Sequence, residues 1–222
     1  MSETAEHKIN VVVAMEFPDE IIKKLRDISP DLNIECHFPD VPDSAWETAE
    51  VLYTIRHFPD PEQAPRLRWI QLHFAGMERI ANLRIVQEAE DVEITSASGI
   101  HAVPMAEYTL SMMLAFMYKI PLMLQHKANT EWLSDRYDIY SPHGLRGLTV
   151  GMVGYGSIAR ELARILYAMG MTVLATKRSL KSTSDDGYIE PETGDPTGDI
   201  PERLYPAEAV MSMAGECDFL VV

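Results

Sequence analysis

The stretch "TVGMVGYGSIARELARILYAMGMTVLATK", residues 149–177, leaves this chain few folds to choose from. An apolar run of strand length leads into a turn with two glycines. A helical pattern follows, with Leu162, Ile165 and Leu166 recurring on one face, and a second apolar run closes the unit. Two strands joined through one helix lie parallel, in a sheet that helices cover. The turn itself reads Gly154-Tyr155-Gly156-Ser157-Ile158-Ala159, the dinucleotide-binding pattern with alanine at its third small position. Gly154 permits the tight turn, Gly156 lets the backbone approach a diphosphate, and Ala159 lets the helix pack closely on the strand. Ser157 and Ile158 open the helix, where free N–H groups and the helix dipole favour an anion.

The end of the second strand decides which dinucleotide. Lys177 stands where a carboxylate ordinarily holds the ribose 2′-hydroxyl, and Arg178 and Ser179 follow it. A cation cannot accept that hydrogen bond. Lys177, Arg178 and Ser179 suit a 2′-phosphate instead, so the expected cofactor is NADP, with NAD second.

The rest of the chain repeats the alternation. Strand candidates are "INVVVAM" (9–15), "NIECHF" (33–38), "EVLYTI" (50–55), "RWIQLHF" (68–74) and "DVEITSA" (91–97). Helical patterns fall at 18–29 and 77–90, which together predict a doubly wound parallel sheet over about the first 100 residues. Residues 99–132 read as mostly helix, broken at Pro121, and 133–147 as an irregular connection. From Ser182 to Pro206 seven carboxylates stand against one arginine among many Gly and Pro, which predicts a long, mobile, solvated loop. A last helix (207–215) and strand (217–222) end the sequence.

Composition narrows the partners. The net charge is −15 over 222 residues, and so acidic a surface repels nucleic acid and anionic membranes. The most apolar stretch, 109–124, is interrupted by Lys119 and Pro121 and is too short to span a bilayer. Cys36 and Cys217 are far apart and in no CxxC pairing, and the N-terminus is polar and acidic. Together these predict a cytoplasmic protein without disulfides or a signal peptide. The acidic spacing within 182–206 leaves a cation site as the lesser alternative to a solvated loop, and no metal site is expected.

Four motifs in order carry a family resemblance: "RWIQLHFAGMERI" (68–80), "HAVPMAEYTLSMMLA" (101–115), "HKANTEW" (126–132) and "VGMVGYGSIAR" (150–160). Together they resemble the D-isomer-specific 2-hydroxyacid dehydrogenases, with a lean toward the glyoxylate/hydroxypyruvate reductase branch. Phe74, Glu78 and His101 depart from the family's usual residues. The resemblance implies an α/β protein with a flavodoxin-like first domain and a Rossmann domain, linked by a long helix. Residues 1–100 would be the substrate domain, 101–132 the interdomain and dimer-interface helices, and 148–222 the first half of the nucleotide-binding domain.

The resemblance also implies roles. Backbone N–H groups of Ala75, Gly76 and Met77 would hold a substrate carboxylate, with Arg56 as an assisting cation and Met105 near the nicotinamide. His73 and His101 are read as structural rather than as acid or base. The substrate would be a small 2-oxo or 2-hydroxy acid, and the assembly a homodimer. The family's catalytic arginine, carboxylate and histidine would come after "DFLVV", so no catalytic residue is expected within these 222 residues. On that reading the chain is C-terminally truncated and inactive alone, and the strand at 149–153 has an open apolar edge where a fourth strand is missing. An alternative on the same scaffold is a non-catalytic NAD(P)-sensing or corepressor-like module.

Overall fold

A computed structural model describes residues 8–222. The chain divides into two compact units, Met1–Ser98 and Gly99–Val222.

The first unit is the expected α/β fold. Its elements are β1 (Ile9–Ala14), α1 (Asp19–Arg26), β2 (Leu32–Cys36), α2 (Asp43–Thr48), β3 (Val51–Thr54), β4 (Trp69–Leu72), α3 (Arg84–Glu88) and β5 (Glu93–Thr95). All strand pairs are parallel, in the order β2-β1-β3-β4-β5, the flavodoxin-like winding. Alternation along β1 serves two cores. Val12 and Ala14 pack with Trp46, Leu52, Ile70, Leu72 and Ile85 on one face, while Val13 packs with Ile22 and Ile34 on the other. Helix α1 carries Asp19 and Glu20 in its first turn and Lys23, Lys24 and Arg26 in its last, each sign at the end the helix dipole favours. Beside α1 a groove of about 1110 Å³ runs along this second face, lined by Val11, Val13, Phe17, Tyr53 and Trp69 among others.

The second unit opens with helices α4 (Ala102–Met117), α5 (Ile120–Ala128) and α6 (Arg136–Ile139). The break between α4 and α5 falls at Lys119, which takes a left-handed φ of 55°, and Pro121 then sits in the first turn of α5, where a missing N–H does no harm. The unit continues with β6 (Thr149–Met152), α7 (Ser157–Ala168), β7 (Thr172–Lys177), β8 (Arg203–Pro206), a 3-10 turn (Ala207–Ala209), α8 (Val210–Ala214) and β9 (Phe219–Val221). Ala106 and Met113 of α4 share one core with Leu162, Ala163 and Leu166 of α7 and with Val150, Met152 and Val173 of the sheet.

Three expectations need correction. The pattern at 77–90 yields helix only at α3, because Leu83 adopts extended backbone (ψ 140°) just before it. The open edge expected on β6 does not exist. The parallel sheet runs β8-β7-β6-β9, so the final strand occupies the fourth position and covers β6. Asp218 N–H donates to the Thr149 carbonyl at 2.9 Å, and Val153 N–H donates to the Val221 carbonyl at 2.8 Å. The third position is taken by β8, a four-residue strand inside the segment read as loop. It is an edge strand ending in proline, where a missing donor is tolerated, and its Tyr205 is buried with the hydroxyl donating to Glu216 at 2.8 Å. Nor is the remainder of 182–202 a free solvated loop, because α7 fastens it by buried groups described below. Among the described residues no helix is long and apolar enough to cross a membrane.

Candidate dinucleotide-binding site

The turn between β6 and α7 is built for close approach by a ligand. Gly154 has φ +97°, a left-handed conformation that a side chain would strain. Its N–H donates to the buried Thr176 hydroxyl of β7 at 2.9 Å, which ties the turn to the neighbouring strand. Gly156 caps α7 with φ −93° and ψ −169° and offers no side-chain cap to the helix. Among the described residues, the N–H groups of Ser157 and Ile158 in the first helical turn therefore meet no side-chain acceptor. A Cβ placed at Gly154 or Gly156 would meet no atom within 4 Å. That open space, edged by helix N–H donors, fits a dinucleotide diphosphate. Ala159 packs its methyl into the core below.

Across the end of β7, Lys177 donates from Nζ to the carbonyls of Ser182 (2.5 Å) and Ser184 (3.2 Å). The ammonium is thus held in place with one of its three donors left. Arg178 is exposed, and among the described residues its guanidinium has no hydrogen-bond or ion-pair partner. Ser179 is exposed, its hydroxyl accepting from the Lys181 N–H at 3.4 Å. Met105, on the second turn of α4, is 44% exposed.

Sequence reasoning missed the residues that fix this turn. Tyr155, between the two glycines, is 4% exposed, and its hydroxyl donates to Asp195 at 2.6 Å. Burial first, then the bond to Asp195 and its charge, push the phenol pKa well above the usual range, so this hydroxyl stays protonated. Asp195 also accepts from the backbone N–H groups of Gly198, Asp199 and Ile200, each at 3.1 Å. Burial raises the carboxyl pKa, but the Tyr155 hydroxyl and the three N–H groups outweigh it, and the net shift is downward. Arg160, 1% exposed, lies with its guanidinium over the Tyr155 ring at 4.7 Å. It donates to the carbonyls of Asp195 and Thr183, and its Nε stands 3.4 Å from the Asp185 carboxylate. Glu161, 2% exposed, accepts from Gly194 N–H at 2.6 Å and pairs with Arg164. A buried aspartate in a Gly/Pro-rich acidic stretch looks like any solvated one in the sequence. Only the adjacent Arg160 and Glu161, on the helix's buried side, hinted that charge was being used inside.

The residues expected to hold a substrate belong to the first unit. Ala75, Gly76 and Met77 come two residues after β4, past His73 and Phe74, and among the described residues their N–H groups meet no acceptor. The Glu78 carboxylate lies against Gly76, so that a Cβ there would stand 2.2 Å from Oε2. Arg56, exposed after β3, holds its guanidinium over Phe38 at 5.7 Å. His73 bonds to the Tyr53 hydroxyl through Nδ1 at 2.7 Å and meets Phe17 edge-on, a satisfied packing role. His101 stands at the N-cap of α4. Among the described residues no group of three or more His, Cys, Asp or Glu side chains could hold a metal.

Comparison with known proteins places this geometry. The family described as "D-isomer specific 2-hydroxyacid dehydrogenase, NAD binding domain" matches residues 110–212. A glyoxylate reductase of Thermococcus litoralis is 25% identical over 142 residues, which cover 60% of this chain and 42% of that protein. Two solved structures align over 96% of the chain. One is a D-isomer specific 2-hydroxyacid dehydrogenase family protein from Aeromonas salmonicida, with TM-score 0.71, 21% identity and 63% of its length covered. The other is an NADPH-dependent glyoxylate/hydroxypyruvate reductase from Sinorhizobium meliloti in complex with NADP and sulfate, with TM-score 0.65, 19% identity and 61% of its length covered. The chain therefore spans less than two thirds of each of these relatives, and the structural likeness speaks for the fold. Residues 110–212 are thus similar to the NAD-binding domain of the D-isomer specific 2-hydroxyacid dehydrogenase family.

Proposed function

We propose that this protein is an oxidoreductase of the 2-hydroxyacid dehydrogenase type that uses NADP(H) in preference to NAD(H). The observation that carries the reading is the pairing of two features in one unit. An unobstructed Gly154–Gly156 turn opens α7, and a β7 end carries cations, Lys177 and Arg178, in place of a carboxylate. Gly154, Gly156, Ser157 and Ile158 hold the diphosphate through backbone donors. Lys177, Arg178 and Ser179 take the 2′-phosphate, with Arg178 the freer cation, and Met105 lies toward the nicotinamide. When bound, the cofactor exchanges a hydride with C2 of a small 2-oxo or 2-hydroxy acid of the glyoxylate or hydroxypyruvate class.

In the first unit, residues 1–100 act as the substrate domain, where the N–H groups of Ala75, Gly76 and Met77 receive the acid's carboxylate and Arg56 assists. For that, the Glu78 carboxylate must turn away from Gly76, since a second carboxylate placed beside it is repelled. Helices within 101–132 form a homodimer interface, in keeping with exposed Met112 (49%), Phe116 (73%), Leu124 (59%) and Trp132 (82%). Sedimentation at a monomer's mass contradicts that part. Residues 148–222 form the nucleotide domain, and the setting is cytoplasmic.

The test of cofactor choice is the double substitution Lys177→Asp with Arg178→Ala. It is expected to weaken NADPH binding at least about tenfold more than NADH binding, since two charge-assisted bonds to the phosphate are lost. Equal losses for the two dinucleotides contradict the assignment.

A further inference from the structure

The segment 182–200 is held by an unusual set of partners for a surface connection. Three side chains from the turn and the N-terminal half of α7 reach it: Tyr155 bonds Asp195, Arg160 bonds the carbonyls of Thr183 and Asp195, and Glu161 takes the Gly194 N–H. All three are nearly inaccessible to solvent, at 4%, 1% and 2%. Burying a charge is costly, and packing alone could seal a loop with apolar side chains. Charged groups aimed at particular backbone atoms fix one conformation of the loop instead.

The loop in turn reaches both ends of the nucleotide site. At one end Asp195 grips Tyr155, the residue between Gly154 and Gly156. At the other, the carbonyls of Ser182 and Ser184 hold the Lys177 ammonium. The two ends of the loop are stitched together between them: the Thr183 hydroxyl donates to the Thr197 carbonyl at 2.7 Å, and Asp185 N–H donates to the Pro196 carbonyl at 3.0 Å. Asp185, Tyr188, Glu190 and Asp195 also line a small cavity that includes Ser157, the first residue of α7.

We propose that Asp195 is a positioning residue for the dinucleotide, and that the Tyr155–Asp195–Arg160 node sets the diphosphate turn and the Lys177 end together. Tyr155 is the arm to the turn. Arg160 and the Thr183–Thr197 bond are the arm to Lys177. The proposal rests on the reading of this unit as a dinucleotide site. Cutting either arm therefore has a distinct signature in binding, which a purely structural role for the loop would not produce.

Two single substitutions separate the arms. Tyr155→Phe keeps the ring under Arg160 and removes only the hydroxyl bond to Asp195. It is expected to weaken NADPH and NADH alike, by about tenfold, with their ratio unchanged. Thr183→Ala, at an exposed position, frees the Lys177 arm and is expected to lower the NADPH-to-NADH affinity ratio by about threefold or more. Both are read by nicotinamide fluorescence titration of the protein, well below the melting temperature of each variant. A Tyr155→Phe protein that melts earlier yet binds both dinucleotides as the parent does overturns the proposal. So does a Thr183→Ala protein with the parent's ratio, which also decides the matter if Tyr155→Phe does not fold. A parent protein that binds neither dinucleotide overturns the functional reading and this proposal with it; a parent that binds, with variants that bind equally, overturns this proposal alone.

Discussion

Two glycines two residues apart serve opposite purposes. Gly154 answers a backbone demand, since its φ of +97° is one that a side chain strains by about 1 kcal/mol or more. Gly156 has an ordinary φ of −93° and room around it, so nothing in the protein's own packing requires it. The requirement comes from whatever is to fill that space. Gly156→Ala is therefore expected to change stability by no more than about 1 kcal/mol, since a stiffer unfolded chain favours alanine while the N-cap position favours glycine. Dinucleotide affinity, measured by titration on the same sample, should fall steeply. A variant that binds as well as the parent would mean that no diphosphate lies against this turn. The glycine turn and the place of Lys177 and Arg178 at the end of β7 were legible because position along one strand-turn-helix-strand unit follows from spacing. Asp195 was not. Its partner Tyr155 lies 40 residues back in the chain, and its own neighbours in sequence are those of a solvated loop.

At the scale of elements, apolar runs carried most of what could be foreseen, and where they failed the reason is length. Strands β1, β2, β3, β4 and β5 each fall within a stretch whose residues favour a pleated sheet, apart from a residue at the start of β2. Helix α2 covers six residues and β8 four, too short for any periodicity to stand out. Pairing is a further step removed, because order in a sheet depends on which edge a strand reaches after a long connection. The expectation that β6 would lie open failed on that point: β9 has three apolar residues, and Asp218 at its head bonds the start of β6 through both its N–H and its carboxylate. With neighbours on both sides, β6, like β7, should hold slower-exchanging amides than the edge strands of its sheet. Hydrogen exchange followed residue by residue is expected to protect Gly151 and Val153 longer than Leu204 of edge strand β8. Equal exchange in β6 and β8 would mean that the β6–β9 ladder does not form in solution.

Taken whole, the molecule carries a net charge of −15, and the proposed function has it receive a strongly anionic cofactor. Long-range attraction cannot bring the two together, and at physiological salt charges more than about 8 Å apart are largely screened. Affinity has to come from local donors: the backbone of the Gly154–Gly156 turn, the first turn of α7, and the cations at the end of β7. Under the proposed function that arrangement gives selectivity, since the extra phosphate of NADPH would meet Lys177 and Arg178 only when placed correctly, and elsewhere on this surface would be repelled. The central claim is therefore most directly met by titrating the unaltered protein with NADPH and with NADH at one ionic strength, following nicotinamide fluorescence. The account predicts saturable binding of both, with NADPH the tighter by about tenfold or more. NADH bound as tightly as NADPH, or no saturable binding of either, would contradict it.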